Sequence, residues 1–169
     1  MISIKNATES DIPLIRSLAE KVWWPTYRKI LQDEQIQFML DQLYSEKSLG
    51  EGMRADEIFL LIHDKNGFQG FVSYAPWKED PVAWKIHKLY VLPENHGSGY
   101  GRKLVQEVFS RAQQAGMKSI VLNVNRYNPA FTFYKKLGFT ILREEDIPIG
   151  NYWMNDYVMS IELQPASVS

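Results

Sequence analysis

Apolar and polar residues along this chain repeat with periods that name the elements. Residues 2–5 alternate and predict a short strand. Ile12, Ile15, Leu18, Ala19 and Val22 recur at helical spacing, which predicts a helix over 9–23 that Trp24-Pro25 ends or kinks. Asp33 stands where an N-cap would open a second helix, with Ile36, Met39, Leu40 and Leu43 on one face. Ile58 to His63 is an apolar run of strand length. Asp64-Lys65-Asn66-Gly67 is a hairpin turn, and Phe68 to Tyr74 returns as the partner strand. Residues 82–91 read as a strand that Pro93 stops. A helix from about 99 to 115 follows, with Leu104, Val105, Val108 and Ala112 inward and Gly116 as its stop. Ser119 to Val124 is a strand, Asn128-Pro129 opens a short helix that Gly138 ends, and 139–145 and 154–162 are the last strands.

The predicted order is β-α-α-β-β-β-α-β-α-β-β. Early hairpins and late strand–helix alternation together predict a mixed α/β (α+β) fold, a partly antiparallel sheet with helices on both faces. The 169 residues suit one domain over 1–169, and 45% hydrophobic with 23% charged residues suits a globular chain. The formal charge of -1 argues against a nucleic-acid partner held by a strong positive field. The absence of cysteine excludes disulfides, thiolate metal sites and a thiol nucleophile. No metal site is expected. No apolar run is long enough for a transmembrane helix and the N-terminus carries no signal-peptide pattern, so the expectation is a cytoplasmic protein with no membrane partner.

The most informative segment is Lys88 to Arg102, where a strand ends, a glycine-rich turn follows and a helix begins. Helix N-termini leave backbone amides unpaired and favour anions. Gly97, Gly99 and Gly101 remove Cβ atoms, so a phosphate can approach the backbone, and Arg102 and Lys103 add positive charge. The dinucleotide motif GxGxxG fails because Arg102 and Leu104 stand where its last glycine would be. The P-loop fails because neither the glycine at 102 nor the hydroxyl residue at 104 is present. A glycine-rich helix entry with no ligand is the plainer reading of the same residues.

A second segment runs from Asn125 to Phe139. Ala130, Phe133, Tyr134 and Leu137 share one helix face, and Asn128 stands at its N-cap. Phe133 and Leu137 read as core. Tyr134 differs, because a buried hydroxyl needs a partner.

The two segments together resemble the GNAT superfamily of N-acetyltransferases. That superfamily's pyrophosphate loop reads Gln/Arg-x-x-Gly-x-Gly/Ala after a strand, and here His96-Gly97-Ser98-Gly99-Tyr100-Gly101 stands in its place. Its later helix often reads Asn-x-x-Ala-x-x-Phe-Tyr-x-x-x-Gly-Phe; here Asn128 and Ala130 are two apart, followed by Phe133-Tyr134 and Gly138-Phe139. Trp23-Trp24-Pro25-Thr26-Tyr27 and the stretch Asn123 to Asn128 are similar to the bacterial spermidine/spermine acetyltransferase-like branch. The loop departs from the family in starting with His96. The strand before it departs too, since Lys85 stands where histone-modifying members carry a glutamate base.

The resemblance implies a mostly antiparallel sheet of about seven strands, with acetyl-CoA as cosubstrate and a primary amine, such as a polyamine or a peptide amine, as acceptor. It implies that His96, Gly97, Ser98, Gly99, Tyr100, Gly101 and Arg102 hold the pyrophosphate, that Leu89, Tyr90 and Val91 offer backbone to the pantetheine arm, and that Asn128 also belongs to the cofactor site. Tyr134 would protonate the thiolate, and a homodimer is admitted. Without cysteine, direct attack in a ternary complex is expected in place of an acetyl-enzyme. His87 lies on the strand before the loop, and the unperturbed pKa of a histidine suits a base, though a half-buried structural histidine is the plainer reading. His63 reads as structural. Trp23, Trp24, Tyr27, Trp77, Trp84 and Trp153 read mostly as core, with some free to line an acceptor pocket. Asp156 and Glu144 to Asp146 could attract a cationic acceptor, although carboxylates at strand ends are usually solvated. The competing function is a non-catalytic acyl-CoA-binding module that regulates a partner.

Overall fold

A computed structural model describes residues 1–165. The strands are β1 (Ser3–Asn6), β2 (Ile58–Asp64), β3 (Gly67–Pro76), β4 (Ala83–Val91), β5 (Ser119–Asn125), β6 (Thr140–Ile149) and β7 (Tyr152–Glu162). The helices are α1 (Ile12–Tyr27), α2 (Asp33–Tyr44), α3 (Glu46–Arg54), α4 (Tyr100–Gln114) and α5 (Ala130–Leu137). The seven strands form one sheet in the order β1-β2-β3-β4-β5-β7-β6. β4 and β5 pair in parallel, and β1–β2, β2–β3, β5–β7 and β6–β7 pair antiparallel. The parallel pair needs a crossover, which α4 supplies.

The chain forms two compact units. One takes Met1–Tyr74 and Lys88–Val105; the other takes Ala75–His87 and the chain from Gln106 onward. In the first, Phe59, Leu60, Leu61 and Ile62 of β2 are buried in succession, as are Phe71, Val72, Ser73 and Tyr74 of β3. Burial on both strand faces requires cover on both sides of the sheet. α1 meets this core with Ile12, Ile15, Leu18, Ala19 and Val22, the positions that the helical period picks out. In the second unit, Ile120, Val121 and Leu122 of β5 and Val158 and Met159 of β7 are buried. α4 is buried at Leu104 and Val105, which count with the first unit, and at Val108 and Ala112, which count with the second, as its spacing predicts.

Three expectations change. α1 runs through Pro25 to Tyr27. Proline there removes one hydrogen bond from a last turn that needs few, and the Arg28 amide still reaches the Trp24 carbonyl at 3.0 Å. On α2, Tyr44 is buried while Leu43 is 37% exposed, so the inward face turns one residue further than the pattern suggests. α3 is absent from the expected order because Gly50 and Gly52 thin its apolar period. It forms because Ser45 Oγ accepts from the Ser48 amide at 3.1 Å and Leu49 is buried.

Among the described residues no helix is long and apolar enough to cross a membrane.

Candidate active site

The loop between β4 and α4 is built from local turns and then stapled to the β2–β3 hairpin. A 3-10 turn at Pro93–Asn95 lets the His96 amide reach the Pro93 carbonyl at 3.1 Å, and the Ser98 amide reaches the Asn95 carbonyl at 3.1 Å. The Ser98 hydroxyl donates to the same Asn95 carbonyl. Asn95 Nδ2 donates to Gln69 Oε1, and the Leu92 amide donates to the Gln69 carbonyl at 2.9 Å. Tyr100 donates its hydroxyl proton to Asp64 Oδ2 at 2.6 Å, which lowers the Asp64 carboxyl below its ordinary value and raises the Tyr100 phenol. His96 Nε2 lies 2.9 Å from the Val91 carbonyl. A carbonyl can only accept, so Nε2 carries the proton.

These bonds say what each predicted loop residue does. The side chains of His96, Ser98 and Tyr100 are spent on bracing the loop. Gly97 and Gly99 have φ of +87° and +88°, where an L side chain is strained, and a Cβ built on either meets nothing within 4 Å. The space beside both glycines is open. The first bond of α4 runs from the Lys103 amide to the Gly99 carbonyl at 3.0 Å, so the amides of Tyr100, Gly101 and Arg102 have no intrahelical acceptor. Arg102 is exposed beside them. Amides without an intrahelical acceptor at a helix N-terminus, with no Cβ in the way, are the chemistry that accepts an anion.

Upstream on β4, Leu89 and Tyr90 are half-buried and Val91 is buried. A Cβ at Gly70 would meet the Tyr90 carbonyl oxygen at 2.5 Å and the Val91 Cα at 3.0 Å, so only glycine admits this close approach of backbones. The Tyr90 ring belongs to an aromatic cluster with Phe71 at 5.8 Å, Trp23 at 6.1 Å and Tyr44 at 6.3 Å between centroids. Burial pushes the Tyr44 phenol far up from its ordinary value. Lys88 lies over Phe59 and Tyr44 and donates to Glu57 Oε2 at 2.8 Å, where the Ser73 hydroxyl also donates at 2.5 Å. Of the predicted aromatic set, Trp23 and Tyr27 are core, Trp24, Trp77 and Trp84 are half-buried, and Trp153 is exposed.

In the second unit, α5 presents Tyr134. Its ring is buried edge-on against Phe133 at 5.4 Å and Phe139 at 5.8 Å. Phe133 and Leu137, expected as core, are only half-buried; Tyr134 is the buried residue of this helix. The helix ends at Gly138, φ +108°, where the Phe139 amide returns to the Tyr134 carbonyl at 3.1 Å. Asn128 Oδ1 accepts from the Ala130 amide at 2.9 Å, so its side chain caps the helix start. His87 on β4 is exposed, in place of the half-buried state its plainer reading implied.

Asp156 is the residue that the pattern misjudges. Expected at a solvated strand end, it is 6% exposed on β7. Asn123 Nδ2 donates to its Oδ2 at 3.2 Å, while Oδ1 is buried with no partner among the described residues. Burial raises this carboxyl above its ordinary value; Asn123, Lys85 and Arg126 pull it back and Glu145 adds to the rise. Lys85 on β4 is half-buried, and burial lowers its ammonium against the opposing pull of Glu145, Asp156 and Glu79. The signal was in the sequence: Met154, Asp156 and Val158 put a charge on the apolar side of an alternating strand.

Residues 55–141 match the Acetyltransferase (GNAT) domain family. The chain belongs to the GNAT acetyltransferase family. This GNAT chain is 39% identical over 80 residues to an uncharacterized N-acetyltransferase of Mycobacterium tuberculosis, covering 47% of this chain and 51% of that one. It is 27% identical over 111 residues to the L-methionine sulfoximine/L-methionine sulfone acetyltransferase of Salmonella typhimurium, covering 62% and 64%. The matches thus span about half of the first relative and under two thirds of the second. Its fold is that of the PaiA N-acetyltransferase from Thermoplasma acidophilum, solved in complex with coenzyme A, with a TM-score of 0.81 and 26% identity over 96% of this chain and 99% of that one. The GNAT sheet expected from the sequence, seven strands and mostly antiparallel, is the sheet observed.

Proposed function

We propose that this chain is an acetyl-CoA-dependent N-acetyltransferase, one acyltransferase domain over 1–169, acting on a primary amine such as a polyamine or a peptide amine by direct attack in a ternary complex. The observation that carries this reading is the β4–α4 loop. Its glycines at φ +87° and +88° and its unclaimed helix-start amides form an anion cradle in a chain of the GNAT family. N-acetyl transfer by the named relatives supports nitrogen as the acceptor atom.

Acetyl-CoA supplies an acetyl thioester and a thiolate leaving group. The backbone of Gly97 to Arg102 holds its pyrophosphate, with His96, Ser98 and Tyr100 bracing the loop from behind. Leu89, Tyr90 and Val91 offer backbone to the pantetheine arm as an added strand would, and the Val91 amide polarises the thioester carbonyl. Tyr134 hands a proton to the thiolate, whose thiol has an ordinary pKa of about 8.5. An amine acceptor near pKa 10 arrives charged and must lose a proton, which His87, exposed on β4, accepts directly or through water. Asn128 acts on the cofactor site indirectly, by capping α5.

Lys85, standing where a carboxylate base would be expected, favours one second reading: an acyl-CoA sensor that binds without turnover. One series of measurements separates the two. Calorimetric titration should show acetyl-CoA binding to the wild type and none to Gly99→Glu, whose side chain is strained at this φ and repels phosphate. A thiol-release assay should then show turnover with amines. Tyr134→Phe should lower kcat by about 10²–10⁴-fold with acetyl-CoA affinity retained. Unchanged affinity in Gly99→Glu removes the loop from the reading. Binding without turnover on any amine leaves the sensor, and a Tyr134→Phe enzyme at wild-type rate makes Tyr134 a packing residue.

A further inference from the structure

Arg126 and Arg143 are both paired with carboxylates. Arg143 donates to Glu79 at 2.9 Å and to Glu145 at 3.1 Å. Arg126 donates to Glu144 at 2.8 Å and to Asp146. Lys85 and Asp156, half-buried and buried, are not paired in this way. Neither forms an ion pair within 4.0 Å among the described residues, although both stand on one face of the sheet, Lys85 in register with Val121 of β5 and Asp156 with Asn125 of β5. Asp156 is also fixed: Asn123 holds Oδ2, which leaves Oδ1 buried and unclaimed.

A buried polar atom without a partner is costly and rare, so it requires an explanation. Packing does not provide one, because a structural pair of this kind would be joined. The protein joins its other half-buried lysine on the same strand, Lys88, to Glu57 at 2.8 Å. An open anion beside an open cation is complementary to a molecule that carries both signs on neighbouring atoms. A polycation meets repulsion from Lys85, and a polyanion meets repulsion from Asp156 and Glu145.

We propose that Asp156 and Lys85 form the acceptor-recognition pair, in which Asp156 Oδ1 accepts from the acceptor's ammonium and Lys85 donates to an acid group on a neighbouring carbon, so that the acceptor is an amino-acid-like zwitterion. The proposal rests on the N-acetyltransferase reading and narrows it. It places Asn123 as a positioning residue, which turns Oδ1 toward the acceptor by holding Oδ2. Asp156 is faced by Lys85 from β4, Asn123 from β5, Arg126 just beyond β5 and Glu145 from β6, and of these only Lys85 has no carboxylate or amide partner of its own.

The test uses the full chain in a thiol-release assay with acetyl-CoA and three acceptor sets: the common L-α-amino acids, their α-amides, and spermidine. The expected result is a free amino acid with the highest kcat/KM. Lys85→Gln should lower that value about 10- to 100-fold, mainly through KM, with a much smaller loss on the amide, since only the free acid offers the anion. Asp156→Asn should lower both by a similar factor, because both acceptors keep the ammonium. The wild-type acceptor ranking needs no variant to fold, and thermal melts of the two variants separate recognition from unfolding. Spermidine or an amide as the best acceptor overturns the zwitterion site and leaves the N-acetyltransferase reading standing. Equal losses for acid and amide in Lys85→Gln overturn the role of Lys85 in the same way. No turnover with any amine, with acetyl-CoA still bound, overturns both readings.

Discussion

Lys85 and Lys88 lie on the same strand, half-buried, and are treated in opposite ways. In the first unit the Lys88 ammonium sits over two aromatic rings and is closed off by Glu57, to which the Ser73 hydroxyl also donates. Its side chain is 13% exposed and that of Glu57 is 15% exposed. In the second unit Lys85 is half-buried without an ion pair among the described residues, and one oxygen of Asp156 is buried there without a partner. A buried charge that is paired and hydrogen-bonded can be structural. One left open destabilises the fold, so a fold that keeps it does so for a reason outside its own stability.

The contrast can be broken most directly at Glu57. Glu57→Ala strands Lys88, and Lys88→Met strands Glu57, so each alone should cost about 3 kcal/mol in urea unfolding. The double variant should cost clearly less than the sum, with a coupling of roughly 2 kcal/mol. Additive losses would mean that the pair is not a pair.

A smaller and opposite effect is expected in the second unit. Burial raises the Asp156 carboxyl, so its protonated form favours the folded state; the contribution is present in acid and is lost as pH rises through the folded value. Asp156→Asn removes that loss. It should match the wild type in stability below the carboxylate range and exceed it at neutral pH. Lys85 has the mirror sign: burial lowers its ammonium, so its contribution is intact in alkali and lost as pH falls through the folded value. Lys85→Met should therefore be at least as stable as the wild type at neutral pH, where Lys88→Met is not. Paired unfolding curves across pH measure both, and a neutral-pH loss in either variant would show that these charges are satisfied after all.

The smallest effect sharpens the closed side of the contrast. Tyr100→Phe removes the hydrogen bond that holds Asp64 below its ordinary carboxyl value. Titration of Asp64 by NMR should show its pKa rising, with little change in the melting temperature. An unmoved Asp64 would transfer its shift to the Asn66 amide, the other donor at that carboxylate.

Much of the β4–α4 loop is legible in the chain itself. Local chemistry makes it so: glycines that permit positive φ, a helix start, and a proline that stops the strand lie within a dozen consecutive residues. α5 is legible for the same reason, since Asn128, Tyr134 and Gly138 cap, fill and end one short helix. The bracing roles of His96 and Tyr100 are not legible, because Val91 and Asp64 come to them by strand pairing and hairpin closure. α3 escapes notice because its two glycines hide a helix that a serine cap and one buried leucine suffice to hold.

Asp156 marks the boundary most clearly. Period-two alternation places it with Met154 and Val158, and a hairpin between β6 and β7 follows from their adjacency. Local pattern does not say which arm of that hairpin docks on β5. Sequence order suggests β6; the fold chooses β7, pairing Asn125 with Asp156 and leaving β6 at the edge. That choice depends on burying Val158 and Met159 in place of the largely exposed face of β6, a comparison between distant segments that no window of the chain contains. Element types and the glycine cradle follow from neighbours along the chain. The burial of one carboxylate, and with it the acceptor site proposed above, follows from which strand reached the interior.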